Sequence, residues 1–164
     1  MTQTVVLVVG ISGSGKSTKI NKGLQYHRDH KQTYGICSAD HFWIQPDGSY
    51  KFDFTKLGDA HKQCQKNFRY LLSEGIDYIY VDNTNLTKKE RSFYLNAAKE
   101  AGARIIVTVF PVDVDLSEAR NVHGVPRATL EAMAKKIDLT PGMYSVLYEN
   151  DAFEYCHIGD LMNE

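Results

Sequence analysis

The segment Gly10-Ile11-Ser12-Gly13-Ser14-Gly15-Lys16-Ser17 fits the pattern G-x-x-x-x-G-K-[ST] and constrains the fold more than any other stretch. Such a loop has to be entered from a buried strand and left through a helix. Its backbone N–H groups curl inward, and the helix points its positive end at the same place. Both flanks are present: Val5, Val6, Leu7, Val8 and Val9 read as a buried strand, and residues 18–28 can form a helix. The mechanics of the pattern assign Lys16 to the β- and γ-phosphates of a nucleoside triphosphate and the Ser17 hydroxyl to Mg²⁺. Gly10, Ser12, Gly13, Ser14, Gly15 and Thr18 complete the cradle.

The rest of the chain repeats the alternation of apolar runs with helical patterns, which predicts βαβ units and a parallel sheet. Residues 33–38, 76–81 and 104–110 read as further strands. The last is a continuous β-branched run, as expected when both faces are covered. Leu57, Ala60, Cys64, Phe68, Leu71 and Leu72 recur at spacings near three and four, so residues 56–73 read as a helix closed by Gly75. Residues 87–101 read as another, opened by the capping box Thr87/Glu90 and closed by Gly102. Residues 41–55 are aromatic, carry the turn signal Gln45-Pro46-Asp47-Gly48, and read as a loop with room for a short hairpin. Short helices at 116–121 and 126–137 form a candidate lid, with Pro126 suited to the first turn of the second. A last strand falls at 153–158. The predicted class is α/β: a three-layer P-loop NTPase or kinase fold with a central parallel sheet and a short helical lid at about 116–137.

Composition bounds the partners. A chain of 164 residues with 43% hydrophobic content reads as one domain spanning residues 1–164. Its net charge of −1 lacks the basic excess of a protein that tracks nucleic acid, so any such contact is local. The longest apolar run, residues 5–11, falls far short of the ~20 residues of a membrane span. The N-terminus has no signal-peptide pattern, so a cytoplasmic protein is expected. Cys37, Cys64 and Cys156 are odd in number and widely spaced, which reads as reduced, mostly buried thiols without zinc.

In an open parallel sheet, ligands bind beyond the carboxyl ends of the strands. Three such ends carry polar clusters: the phosphate loop, Ser38-Ala39-Asp40-His41, and Asp82-Asn83-Thr84-Asn85. Asp82 ends its strand and is the natural carboxylate for Mg²⁺ or its water beside Ser17; otherwise it caps a turn. Asn83 and Asn85 suit the site or the turn equally. Asp40 is the candidate base that takes a proton from an acceptor hydroxyl, with His41 as the alternative. Phe42, Trp43, Tyr50, Phe52 and Phe54 either stack on an acceptor base or sugar or close a core under a long loop. Arg120, and secondly Arg127, lie where a lid would bring a guanidinium over transferring phosphoryl oxygens.

The phosphate loop, Ser38-x-Asp40, Asp82-Asn83-Thr84-Asn85-Leu86 and the later Arg120-Asn121…Val125-Pro126 together resemble the polynucleotide-kinase group of P-loop kinases. Residues 81–137 are similar to the second half of phage-type polynucleotide kinase domains. Residues 38–64 more closely resemble a sister group of small AAA-type ATP-binding proteins with zeta-toxin-like relatives. The resemblance implies ATP and Mg²⁺ as cofactors, Lys16 and Ser17 on phosphates and metal, Asp40 activating the acceptor hydroxyl, and Arg120 in the lid. Two positions depart from the polynucleotide-kinase pattern. Trp43 stands where that group has an arginine for the acceptor's phosphate, and Val122-His123-Gly124 is short and nearly uncharged where its lid has a second one. Whether His41, Trp43 or His123 takes their place is open. The expectation is an ATP-dependent kinase acting on a hydroxyl, with a nucleic acid (a 5′-hydroxyl end or a modified base) as the implied acceptor. A nucleoside or sugar kinase, and a nucleotide-binding module with weak ATPase, are the alternatives.

Overall fold

In a computed structural model, which describes residues 2–138 and 156–157, strand β1 (Thr4–Val9) is buried along its whole length. An all-valine-and-leucine strand is stable there because both of its faces are covered. Val5, Leu7 and Val9 face one core with Cys64, Phe68, Tyr94 and Ala98. Val6 and Val8 face another with Ile20, Leu24, Tyr80 and Ile106. The result is three layers: α1 (Lys16–Asp29) lies on one side of the sheet, and α2 (Leu57–Ser73) and α3 (Lys88–Glu100) on the other.

The strands β2 (Tyr34–Cys37), β3 (Tyr78–Val81) and β4 (Arg104–Val109) join β1 in the order β2-β3-β1-β4, all parallel. A short β5 (Cys156–His157) pairs antiparallel with β4. The expected strand at 153–158 is thus met at two residues, and the others lie outside the described residues. Register puts Leu7 and Cys37 both opposite Val81, so β1, β2 and β3 end near one level. Gly10, Ser38 and Asp82 therefore leave the sheet at the same edge.

Helix ends follow local chemistry. Thr87 Oγ1 accepts from the Glu90 N–H at 3.2 Å while the Glu90 carboxylate accepts from the Leu86 and Thr87 N–H groups, which closes the capping box. Gly75 and Gly102 follow α2 and α3 with φ of 69° and 66°, the left-handed conformation that ends a helix. Three expectations are corrected. Helix α1 begins at Lys16, because the loop's last glycine is already its N-cap. Residues 39–43 form a 3₁₀ turn capped by Ser38 rather than open loop. Pro126 is the N-cap of α5 (Arg127–Lys136), with extended ψ, rather than part of its first turn. Helix α5 packs against α4 (Val114–Ala119), the pair expected as a lid. Among the described residues, no helix is long and apolar enough to cross a membrane.

Phe68 is fully buried and meets the Tyr94 ring edge-on at 5.1 Å, at the centre of the α2/α3 layer. Phe68→Ala is expected to cost about 3–5 kcal/mol of stability. Urea unfolding reads this as a lower midpoint with an unchanged slope; a shift worth less than about 1 kcal/mol would show that the layer collapses to fill the cavity.

Candidate active site

The phosphate loop is shaped by its glycines and by what packs on it. Gly13 and Gly15 have φ of 80° and 97°, which other residues adopt only under strain. A Cβ on Gly13 would lie 2.3 Å from the carbonyl oxygen of Ser117, so the buried Ser117 turn of α4 sits directly on the loop. A Cβ on Gly15 would lie 3.5 Å from Arg120 Nη1. The guanidinium of Arg120, at the C-cap of α4, is therefore carried to the mouth of the loop by the same helix. Of the two lid arginines, Arg127 is placed differently. It pairs with Asp115 at 2.8 Å, Glu131 at 3.1 Å and Glu118 at 3.4 Å, and so links α4 to α5.

Lys16 is buried and its ammonium donates to the carbonyls of Gly10 (2.9 Å) and Ile11 (2.7 Å) and, at 3.4 Å, to Ser14 Oγ. Burial lowers its pKa to about 8, against the pull of Asp82 and Asp40, whose negative charges favour the ammonium. Ser17 Oγ donates to Asp82 Oδ2 at 2.8 Å. Burial raises the Asp82 carboxyl above the usual carboxylate range, opposed by the Ser17 hydrogen bond and the Lys16 charge. A hydroxyl and a carboxylate side by side form a hard oxygen pair. This donor set fits Mg²⁺, which uses few protein oxygens and completes its shell with water and phosphate. Ser12, Ser14 and Gly15 are partly exposed along the loop, and Ser17 and Thr18 are exposed at the start of α1.

Asp40 is exposed at the start of the 3₁₀ turn that follows β2, and Ser38 Oγ accepts from its N–H. It lies close enough to act electrostatically on both Lys16 and Asp82, and His41 acts on Asp82 as well. The sequence-predicted residues Lys16, Ser17, Asp40, Asp82 and Arg120 are thus brought to one cleft.

Two asparagines hold that cleft together. Asn83 Oδ1 accepts from the Ala39 N–H at 2.8 Å, which fixes the Asp40 turn to the end of β3. Asn85, buried and with φ 49°, donates to the carbonyls of Val8 (2.7 Å), Asn83 (3.2 Å) and Val81 (3.4 Å), and so ties β1 to β3. The open choice for both residues falls on the turn. The aromatic segment divides. Trp43 is buried with Ala39 and Ala60 and packed by Phe42, while Tyr50, Phe52 and Phe54 remain exposed. Trp43 therefore does not reach solvent at the position where an acceptor-phosphate arginine would stand. Tyr50 donates to Asp40 Oδ1 at 3.3 Å and its ring stacks on His123 of the lid. The His123 contact escapes sequence reading because it joins segments far apart in the chain, and the Asp40 contact because it depends on how the hairpin folds back. Arg91 escapes it too: a fully buried guanidinium that donates to the carbonyls of Asn85 and Leu86 at 3.0 Å and to that of Asp138. A buried cation on helix α3 has no periodic signal to mark it. Cys37 and Cys64 are buried, free thiols, and burial pushes both pKa values up.

A family model described as an AAA domain matches residues 5–139. Human NEDD4-binding protein 2 is 29% identical over 133 residues, which cover 79% of this chain and 7% of that protein. A chain of the Pnkp1/Rnl/Hen1 RNA repair complex superposes with TM-score 0.64 at 18% identity, covering 83% of this chain and 44% of that one. The Mycobacterium tuberculosis APS kinase CysC, solved with AMPPNP and APS, superposes with TM-score 0.58 at 16% identity over 93% of this chain and 86% of that one. The chain therefore spans less than a tenth of the human relative and under half of the repair-complex chain. The two structural likenesses show a shared α/β fold with a central parallel sheet.

A triphosphate held over the loop favours the charged form of Lys16, whose pKa of about 8 leaves it partly neutral in slightly alkaline solution. ATP binding at pH 8 is expected to take up about half a proton per molecule, and much less at pH 6.5. Isothermal titration calorimetry in two buffers of different ionisation enthalpy measures this. An uptake that does not rise with pH would mean that Lys16 keeps its charge in the free protein.

Proposed function

The chain belongs to the AAA domain family, and from that premise we propose that it is an ATP- and Mg²⁺-dependent phosphotransferase. It moves the γ-phosphoryl group of ATP to a hydroxyl acceptor, on nucleic acid in the first instance, as the polynucleotide-kinase resemblance implies. One observation carries the reading. A second carboxylate, Asp40, acts on Lys16 beside Asp82, which supports the reading of one carboxylate for metal and another for a proton.

In this reading the loop amides and Lys16 surround the β- and γ-phosphates, and Arg120 approaches from the lid to spread charge over the transferring oxygens. Ser17 and Asp82 would hold Mg²⁺, which neutralises phosphate charge when bound. Asp40 takes the proton of the acceptor hydroxyl as its oxygen bonds to the γ-phosphorus and the bond to the β–γ bridging oxygen breaks. The products are phosphorylated acceptor, ADP and a protonated Asp40, which returns its proton to water. Arg127 holds the two lid helices together rather than reaching for phosphate.

A small-molecule kinase is the second reading, favoured by a specific observation. The position for an acceptor-phosphate arginine is occupied by the buried Trp43, and the lid turn offers His123 instead of a second arginine. Labelled ATP incubated with DNA and RNA ends, modified-base DNA, nucleosides and sugars separates them. Label on oligonucleotides and not on nucleosides supports the first reading, and label on neither removes both. With the acceptor in hand, Asp40→Asn is expected to lower transfer at least 10³-fold, on the order of a lost general base, while ATP affinity stays within about twofold. Unchanged transfer by this variant would remove Asp40 from the mechanism.

A further inference from the structure

Lid closure and the readiness of the acceptor base meet in one side chain. Tyr50 closes a tight hairpin in which Ile44 and Tyr50 pair antiparallel, Gln45 N–H donates to the Ser49 carbonyl at 2.8 Å, and Lys51 N–H donates to the carbonyl of buried Trp43 at 2.9 Å. Its position is therefore set by backbone anchored on the core. From there the hydroxyl reaches Asp40 Oδ1 at 3.3 Å, and the ring lies against His123, centroids 4.4 Å apart and planes 21° from parallel. The phenol keeps its proton at neutral pH, because burial and the Asp40 charge push its pKa up to about 12.

On the other side, His123 sits in a lid turn braced by Asn121, whose side chain accepts from the His123 N–H and donates to the Val125 carbonyl. Arg120, which reaches Gly15 of the phosphate loop, precedes that turn directly. One short segment thus meets the phosphate loop through Arg120 and Tyr50 through His123.

We propose that Tyr50 is a positioning residue that latches the lid to the acceptor base, its ring receiving His123 and its hydroxyl holding Asp40 Oδ1 while the other carboxylate oxygen takes the acceptor hydroxyl. This rests on the reading of Asp40 as the base. Asp40 accepts from Tyr50 through one oxygen only, which leaves the other for an incoming hydroxyl. The stack is an offset-type ring contact that holds the lid turn down while leaving the phosphate loop open to Arg120. Acceptor entry then depends on Tyr50, whereas ATP entry does not.

The test separates the hydroxyl from the ring. Tyr50→Phe keeps the stack and is expected to lower kcat roughly tenfold, as for one lost charge-assisted hydrogen bond, with the KM for ATP unchanged. His123→Ala is expected to raise the acceptor KM about fivefold, as for one lost ring contact, and His123→Phe to restore it to within about twofold. The double variant Tyr50→Ala/His123→Ala should lose no more than the worse single variant, as for two halves of one contact. Additive losses, failure of phenylalanine to rescue, or wild-type kcat in Tyr50→Phe would each overturn the latch. A readout independent of phosphoryl transfer keeps the two ideas apart. In the free protein the Tyr50 ring current should shift the His123 ring-proton resonances, and Tyr50→Leu should abolish the shift. Unshifted resonances in the wild type overturn the latch whatever the acceptor panel shows. Shifted resonances with no transfer to any acceptor support the contact and overturn its role at a base.

Discussion

The distance between Ser17 and Asp82 depends on how β1 and β3 end, and the Asn85 carboxamide fixes those ends together. Parallel pairing brings Leu7 opposite Val81 at the ends of the two strands. Asn85 donates to the carbonyls of Val8, Val81 and Asn83 from a buried position, which ties the two chains together where they leave the sheet. The left-handed backbone at Asn85 is what aims its amide back at the strands, and asparagine tolerates that conformation better than most residues. The Gly10 N–H then donates to the Thr84 carbonyl at 3.0 Å, so the phosphate loop and the Asp82 turn are bonded to each other as well as to the sheet. The 2.8 Å contact of Ser17 with Asp82 follows from this clamp.

What was legible in the sequence is what local chemistry decides. The glycine loop needs positive φ at Gly13 and Gly15, and few other sequences supply it. Thr87 and Glu90 announce a helix start because each satisfies the other's backbone donor, three residues away. The strands were readable because burial on two faces leaves no polar positions. Boundaries shifted where a neighbour in space decides them: Tyr78 rather than Ile76 begins β3, since pairing with Thr4 starts there. The site was legible at the strand ends, where topology alone makes separate segments converge. It was not legible where partners lie across the chain. Asn83 holding Ala39, Arg91 holding three carbonyls, and Tyr50 meeting His123 each join segments that no spacing rule connects.

The aromatic segment shows why composition alone could not divide its roles. Trp43, Phe52 and Phe54 read alike in a sequence. Trp43 falls on the 3₁₀ turn, where Ala39 and Ala60 leave a slot for an indole, and Phe52 packs against its edge at 5.0 Å. Phe54 lies beyond that slot and is 76% exposed. Burying the indole anchors the hairpin, and the hairpin in turn holds Tyr50 at Asp40. A packing role for one ring is thus the condition for a site role in another.

Charge is divided across the cleft in a way that bears on the acceptor. The positive groups, Lys16 and Arg120, stand at the phosphate loop, and Arg127 is occupied by three carboxylates of its own lid. On the proposed reading, the acceptor side holds Asp40 and the Tyr50–His123 pair, and Phe52 and Phe54 are exposed farther along the same segment. A phosphate-rich acceptor approaching that side meets a carboxylate first, so its backbone contributes repulsion unless it is held away from Asp40. A flat base or sugar meets ring faces, which attract without charge and are insensitive to salt. On the proposed reading, the acceptor is therefore recognised by the group that carries the hydroxyl rather than by the phosphates around it. That selects an end or an extruded base over the body of a duplex.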